Sequence, residues 1–508
     1  MKYKKLNILY CFLASFALIT ICSKSSFIYP MNDWGDVNCY FILGKGMLHG
    51  LVPYRDFIEQ KGLVIYALYS IAALISDTSF IGVYFIEILS MALFLYISLK
   101  IVGLFFDADK YALPIVFWMA GSVAVSSAFC HGGSPEELML SLFAYGIYLG
   151  IKYFEKNELP GKGGMFVFGL AAGLIFFTKY TLCIIYISVI VFMIFKAVKN
   201  KQTGQLFGQS LFFVLGCVTV TIPVVVYLLC NNALGDFAYD YFYENIFNYT
   251  PDKTDPGLLS NLKLYGFRFL RLFKKKNMLF LIPAAIGEIW FIVRKKHFIA
   301  TFLFFTFASF YYLVFVAMRP MRYYGLPLAV LGIFGLCAFF AFLSERNISL
   351  NAVLKVCVPV CMIVLAVFFT DNRYFMFKSK DLVPQYIFAK EMDSYGYSDY
   401  HMLYYGNLDR GYYFASGTLP NCKAFVQLNL LGDELTKIQN AHISERKCEF
   451  IVTESVLCDS KEYEYYRSKY GDTEDVVSFD DFGYELIDER GNYFEFMNYK
   501  VRLYKLKD

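Results

Sequence analysis

Long apolar runs separated by short polar junctions occupy most of the chain. After a basic N-terminus, residues 6–29 form an apolar run long enough to span about 30 Å of hydrocarbon. No small-residue cleavage site precedes its end, so we expect a retained first span with the N-terminus in the cytoplasm. Residues 63–75 are apolar but too short to cross, and they predict a juxtamembrane helix. The other apolar runs are 80–106, 111–129, 138–154, 165–177 paired with 182–195, 206–229, 278–293, 298–317, 324–343 and 352–370.

This window count predicts about eleven spans, with the polar loop at residues 30–62 and the chain beyond residue 370 both outside. Residues 371–508 alternate between strand-like and amphipathic segments, and they are numerous enough to bury a small core. We expect strands at HMLYY, CKAFVQL, CEFIVTES and YFEFMNYKVRLYKL, and helices at VPQYIFAKEM and DELTKIQNAHI. The predicted fold is therefore a polytopic α-helical membrane domain (residues 1–370) followed by an extracytoplasmic α/β domain (residues 371–508).

Composition supports this class, because 57% of the residues are hydrophobic and only 18% are charged. The membrane part is net basic and the tail is net acidic, which indicates that they face different surroundings. Basic junctions at the predicted inner ends of the spans fit the positive-inside rule, so the positive charge does not indicate a nucleic-acid partner. The 13 cysteines include no CxxC pair, and they predict neither a metal site nor a disulfide framework.

Charged and aromatic residues concentrate in the loop at residues 32–61, and charge held beside a membrane usually serves a function. On the predicted outer side, polar residues also occur in the segment SPEE, at Lys179, in a basic cluster and in the segment RPMRYY. Carboxylates beside cations suit the transfer of a group from an anionic lipid carrier to a hydroxyl, because a carboxylate removes the proton and cations stabilise the departing phosphate. The members of the basic cluster are Arg268, Arg271, Lys274, Lys275 and Lys276.

The loop DVNCYFILGKGMLHGLVPYRDFIEQK resembles the first external loop of GT-C glycosyltransferases of the protein-mannosyltransferase and aminoarabinose-transferase group. The segments SPEELML, GLAAGLIFFTKYT and RPMRYYGLPLAV add further resemblance in the same order along the chain. Two positions depart from the family pattern: Gly62-Leu63 follows Lys61 in place of two prolines, and Val37 replaces a frequent second acid. The matching loop positions are Asp36, Tyr40, Gly50, Pro53, Tyr54, Asp56, Glu59 and Lys61.

The resemblance implies a polyprenyl-phosphate-linked sugar as donor, inversion at the anomeric carbon and no nucleotide-sugar site. Asp36 would be the general base, with Glu136 or Glu137 assisting acceptor or donor hydroxyls. No cofactor is expected, although a divalent cation stays open. The donor phosphate would be bound by Lys61, Lys179, Arg319, Arg322, Arg271 and Lys275. Further substrate contacts would come from Asp33, Tyr40, Tyr54, Asp56, Glu59, Tyr323 and Tyr324.

Structural explanations compete with these roles. Asp33 or Asp36 could cap a helix that starts near Val37, and the two glutamates of SPEE could simply favour the positive end of a helix. The lysines and arginines could extend to lipid headgroups. The basic cluster contradicts the positive-inside rule, so either a span is miscounted or its cations serve an anionic ligand. His49 and His131 have no partners at metal-ligand spacing, so we do not expect them to bind a metal.

The preferred hypothesis is a glycosyltransferase of the cell membrane that moves a sugar to a glycan, lipid or protein acceptor at the outer face. One alternative is a flippase or exporter of lipid-linked sugars, for which internal repeats and charges at mid-span would be typical. Another is a polymerase or ligase of lipid-linked sugars, which would share the outer charges. The expected partners are the bilayer, the lipid-linked donor and the acceptor.

Overall fold

A computed structural model gives the architecture of the chain. It describes residues 2–248, 258–272, 275–316, 321–346, 351–428, 432–456, 479–491 and 499–507.

The described residues of the membrane part form helices joined by loops, as the apolar runs predict. Its α-helices are α1 (Lys2–Cys22), α2 (Gly35–Leu48), α3 (Leu63–Ile75), α4 (Ile81–Val102), α5 (Ala112–Ala124), α6 (Pro135–Leu138), α7 (Leu140–Lys156), α8 (Lys162–Lys179), α9 (Ile184–Lys199), α10 (Thr203–Cys230), α11 (Leu234–Phe237), α12 (Leu258–Leu272), α13 (Met278–Val293), α14 (His297–Tyr311), α15 (Ala329–Glu345) and α16 (Asn351–Phe369). A π-helix (Ala238–Asn248) follows α11, and a 3₁₀-helix (Arg322–Leu328) leads into α15.

Seven helical segments in the described part are long and apolar enough to cross a membrane. One of these, Lys162–Lys199, contains the predicted pair of runs and folds back on itself. Lys179 is extended there (φ −159°, ψ 95°), and the Phe168 ring of α8 stacks on the Tyr186 ring of α9 with centroids 4.6 Å apart. The prediction of about eleven spans is not confirmed by this count, whereas α3 has the predicted bounds at Leu63–Ile75.

Glycines let neighbouring helices approach closely, as is common in membranes. A Cβ on Gly169 of α8 would lie 1.8 Å from the Phe213 carbonyl oxygen of α10, and one on Gly216 of α10 would lie 2.1 Å from the Phe166 carbonyl oxygen. The α13–α15 pair has a similar contact at Gly335, where a Cβ would lie 2.2 Å from the Pro283 carbonyl oxygen. These contacts fix the bundle on which the polar loops rest.

The tail forms a small sheet domain with helices. In its described residues the four strands have the order β1-β2-β4-β3, with β1 parallel to β2 and the other pairs antiparallel. The strands are β1 (Met402–Tyr405), β2 (Phe450–Val456), β3 (Tyr484–Gly491) and β4 (Tyr499–Leu506), and the helices are α17 (Pro384–Ser394), α18 (Tyr412–Ser416) and α19 (Gly432–Ser444).

Two tail predictions differ from the structure. The segment CKAFVQL is a loop rather than a strand, and β3 was not predicted. The apolar residues of CKAFVQL instead pack on the membrane part, where the Phe425 ring lies 5.2 Å from the Phe57 ring. Strand β3 is polar because it lies at the edge of the sheet, where Glu489 forms ion pairs with Lys500 and Arg502 of β4.

Replacing Gly169 by Ala should lower the melting temperature, because the added Cβ cannot fit beside the Phe213 carbonyl without separating α8 from α10. Thermal unfolding of the purified protein in detergent measures the effect. Gly163→Ala in the same helix is the matched control, since nothing lies within 4 Å of its Cβ position. Equal melting temperatures for the two variants would contradict the packing described for α8 and α10.

Candidate active site

Asp36 lies in the first turn of α2, half-buried, where its Oδ2 accepts a 2.7 Å hydrogen bond from the Tyr323 hydroxyl. The N-cap residue of α2 is Trp34, which makes no side-chain cap bond, so Asp36 does not cap this helix. The Trp34 and Tyr323 rings meet edge to face with centroids 5.0 Å apart. The carboxylate is therefore oriented by an aromatic pair and keeps a second oxygen for other contacts.

Asp33 has a different environment, because it forms a buried ion pair. Its Oδ1 lies 2.6 Å from Lys24 Nζ and 3.0 Å from His131 Nδ1. Burial opposes the charge, but Lys24 and His131 outweigh it and hold the pKa of Asp33 well below its usual range. Asp33 thus ties the end of α1 to the loop before α6, and neither partner was anticipated from the sequence.

Hydrogen bonds hold the backbone on both sides of the Lys61 side chain. The Tyr54 hydroxyl donates to the Lys61 carbonyl (2.7 Å), and the Gly62 N–H donates to the Thr178 carbonyl (3.0 Å). A Cβ at residue 62 would lie 2.0 Å from the Phe177 carbonyl oxygen, so glycine is required where the family pattern has proline. This contact brings the Lys61 segment directly against the end of α8.

The Lys61 ammonium is buried, and within the described ranges it has no hydrogen bond or ion pair. Burial alone would lower its pKa, but Tyr324 and Asp36 outweigh that effect and raise the pKa of Lys61. Asp36, Glu59, Tyr324 and Lys179 all contribute to the electrostatic environment of this ammonium. A buried cation without a bonded counterion can accept an anionic ligand.

Lys179, at the apex of the α8–α9 hairpin, does have a bonded counterion. Its Nζ lies 2.6 Å from Glu136 Oε1 in a buried ion pair, and it sits 3.5 Å from the centroid of the Tyr324 ring. The other carboxylate oxygen of Glu136, Oε2, is buried and has no hydrogen-bond partner in the described structure. The pair thus presents a shielded cation and one open acceptor atom.

Glu137 serves the loop that precedes it. Ser134 caps α6 by accepting from the Glu137 N–H (3.1 Å), and Glu137 Oε2 accepts from the Gly133 N–H (2.7 Å). Burial raises the pKa of Glu137 to about 8, so its carboxyl is largely protonated at neutral pH. Its geometry is that of a residue that shapes the loop, whereas Glu136 points toward Lys179.

Three further groups complete the buried polar cluster. Burial raises the pKa of Glu59, whose Oε1 accepts from the N–H of Gln60 (2.7 Å). The Tyr40 hydroxyl is buried without a hydrogen-bond partner among the described residues. Asp240 was not anticipated from the sequence; it is also buried, beside Glu59, and burial raises its pKa to about 7. No sequence pattern marks Asp240, because it lies in the π-helix far along the chain.

The remaining candidates lie at the margin of this cluster or outside the described part. Asp56 accepts from the Val52 N–H (2.7 Å) and pairs with Arg55, which closes the turn around Tyr54. Arg322 is exposed and forms an ion pair with Asp371. Arg319 lies outside the described residues, and the side chains of Arg271 and Lys275 are not described.

Lys276, a member of the basic cluster, has an acidic partner in the tail. Lys276 Nζ lies 2.5 Å from Asp371 Oδ1, so Asp371 pairs with both Lys276 and Arg322. Its carboxylate offsets two cations at the start of the tail.

Taken together, the cluster offers an oriented carboxylate (Asp36), a buried cation without a bonded counterion (Lys61) and open acceptor atoms on Glu136 and Tyr40. Such a set can remove a proton from a hydroxyl and stabilise an anion that forms at the same time.

The family profile of dolichyl-phosphate-mannose-protein mannosyltransferases matches residues 60–227, which include Lys61, Glu136 and Lys179. No curated protein sequence matches the chain.

Two crystal structures of ArnT from Cupriavidus metallidurans share the fold. The apo structure aligns with a TM-score of 0.59 at 10% identity and covers 99% of this chain and 98% of ArnT. The structure bound to undecaprenyl phosphate aligns with a TM-score of 0.54 at 10% identity and covers 98% of this chain and 97% of ArnT. The chain is thus a helical membrane protein that shares the fold of ArnT, and over residues 60–227 it is similar to the dolichyl-phosphate-mannose-protein mannosyltransferases.

Proposed function

We propose that the protein transfers a sugar from a polyprenyl-phosphate carrier to a hydroxyl-bearing acceptor, with inversion at the anomeric carbon. The observation that carries the proposal is the juxtaposition of Asp36, oriented by Tyr323, with the buried Lys61 ammonium. The ArnT structure of the same fold binds undecaprenyl phosphate, which supports a lipid-linked donor.

In the proposed step, the acceptor oxygen attacks the anomeric carbon while Asp36 accepts the hydroxyl proton. The bond between the anomeric carbon and the phosphate oxygen breaks, and its electron pair leaves with the polyprenyl phosphate. Lys61 stabilises that anion, because it is buried and has no bonded counterion in the described residues. Atoms and charges balance without a cofactor.

Lys179 contributes less directly, since Glu136 already neutralises it at 2.6 Å. We assign this pair to the sugar rather than to the phosphate. Glu136 Oε2 is an unused acceptor that can bind a sugar hydroxyl.

Orientation in the membrane follows from the charges at the other end of the bundle. Helix α15 begins at the 3₁₀-helix that carries Tyr323 and ends at Glu345, which pairs with Arg294. Its 17 residues span about 25 Å. Lys296 pairs with Glu155 at the same far end. Because basic junctions favour the cytoplasm, the proposal places the polar cluster and the tail outside.

Replacing Asp36 by Asn should reduce transfer by roughly 10²- to 10⁴-fold, because the amide cannot accept the hydroxyl proton. Folding should persist, since the Asn carboxamide oxygen can still accept the Tyr323 hydroxyl. Turnover of a polyprenyl-phosphate sugar by purified protein, with a thermal-shift check, measures both effects.

Asp109→Asn is the control for this substitution, because Asp109 lies on the opposite side of the bundle and accepts from Asn7. Tyr323→Phe should give an intermediate loss, since only the orienting hydroxyl is removed. Near-normal turnover by Asp36→Asn would show that Asp36 is not the base.

Lys61→Ala should weaken the binding of polyprenyl phosphate by roughly 10- to 100-fold, the effect expected for loss of a charge-assisted hydrogen bond. Direct binding of polyprenyl phosphate to the purified variant measures this. Lys196→Ala, in the last turn of α9, removes a lysine from the far end and should leave binding unchanged. Equal affinities for the two variants would contradict the role of Lys61.

The orientation predicts that a cysteine introduced at the exposed tail residue Ser398 reacts with a membrane-impermeant maleimide in intact cells. One introduced at Lys201, beyond the basic end of α9, should react only after permeabilisation. Labelling of the unsubstituted protein measures the background reaction of its native cysteines. The reverse pattern would overturn the proposed orientation.

A further inference from the structure

The tail runs alongside α2, the helix that carries Asp36. The tail loop at residues 408–411, then α18 and the glycine after it, contact successive turns of α2. The contacts are Gly35 with Leu408, Asn38 with Gly411, Phe41 with Phe414, and Lys45 with the Gly417 carbonyl. The tail therefore follows α2 from its first turn to its last.

Aromatic rings fix this contact from the membrane side. The Phe414 ring stacks on Phe80 with centroids 4.3 Å apart and meets Phe41 edge to face at 5.2 Å. Lys45 Nζ donates to the Gly417 carbonyl at 3.2 Å. All three aromatic residues are buried, so this surface is a packed core rather than a loose interdomain contact.

Gly411 packs tightly against Met31 and against Asn38 of α2. Its φ of +105° is a conformation that L side chains rarely adopt. A Cβ there would lie 2.1 Å from Met31 Cε and 3.0 Å from Asn38 Oδ1. Asp409, which is buried just before it, accepts from the Tyr412 N–H (2.8 Å) and fixes the turn.

Asn38, which Gly411 touches, holds the segment before Asp36. Asn38 Nδ2 donates to the carbonyls of Asn32 and Trp34, both at 2.9 Å. The Trp34 ring packs on Tyr323, which orients the Asp36 carboxylate. A shift of Gly411 against Asn38 is thereby passed to both sides of the Asp36–Tyr323 hydrogen bond.

We propose that Gly411 is a positioning residue, through which the tail holds Asp36 in its reactive orientation. The inference rests on the proposed function, because it assumes that Asp36 is the base. Lys61, the proposed donor-phosphate residue, is held by a separate contact, in which the Gly62 N–H donates to the Thr178 carbonyl of α8. Gly411 should therefore affect the chemical step and leave donor binding unchanged.

The test is Gly411→Ala, for which kcat should fall by roughly 10- to 100-fold, the effect expected when a reacting group is misplaced by about 1 Å. The affinity for polyprenyl phosphate should stay at the wild-type value. The matched control is Gly406→Ala, which has a similar φ of +81° but nothing within 4 Å of its Cβ position. It carries the same kind of backbone strain without touching α2.

Rescue makes the test specific. Met31→Ala removes the closest clashing atom, so the double variant Met31→Ala/Gly411→Ala should regain much of the lost kcat. If Gly411→Ala does not yield folded protein, Gly35→Ala tests the same contact from the other side, since its Cβ would lie 2.8 Å from Leu408 Cβ.

Three results would separate the possible failures. Absence of transfer by the wild-type protein, with polyprenyl phosphate still bound, would contradict the proposed function. An active wild type with equal kcat for Gly411→Ala and Gly406→Ala would overturn the positioning role. A loss of donor affinity in Gly411→Ala that accounts for the whole loss of activity would also overturn it.

Discussion

Burying charged groups away from water is unfavourable unless each group is paired, and this constraint shapes the polar cluster. Asp33 is paired with Lys24, and Glu136 is paired with Lys179, in both cases at 2.6 Å. The Glu136–Lys179 pair joins α6 to the apex of the α8–α9 hairpin, and the contact of Asp33 with His131 joins the loop before α2 to the loop before α6. Against these neutralised pairs, Lys61 stands out as the buried cation without a bonded counterion in the described structure.

Much of the membrane part could be predicted from the sequence, because its patterns are local. The apolar run at residues 63–75 is too short to span a membrane, and α3 has those bounds. The segment SPEE predicts a helix start, and α6 begins at Pro135 with Ser134 as its cap. The family resemblance also rests on short local motifs, and the match over residues 60–227 includes two of them.

The sequence could not reveal pairings between distant segments. Arg322 was expected at the donor phosphate, but its ion pair with Asp371 depends on how the tail folds back. The family resemblance separated Asp36 from Asp33 in the first loop, but only the folded structure shows that Asp33 is neutralised by Lys24 and His131. Similarly, CKAFVQL has the alternation of a strand, yet its apolar side chains are buried against the membrane part instead of within the sheet.

Lys179 is the extended residue at which the chain reverses between α8 and α9. Both legs of the hairpin are apolar helices, so the length of α8 fixes how far the Lys179 ammonium stands from the far end of the bundle. One inserted residue would move that ammonium by about 1.5 Å and turn it by about 100°. The length of α8 thus sets the depth of the Lys179 ammonium in the bundle. The contact of Gly62 with the end of α8 keeps Lys61 at the same level.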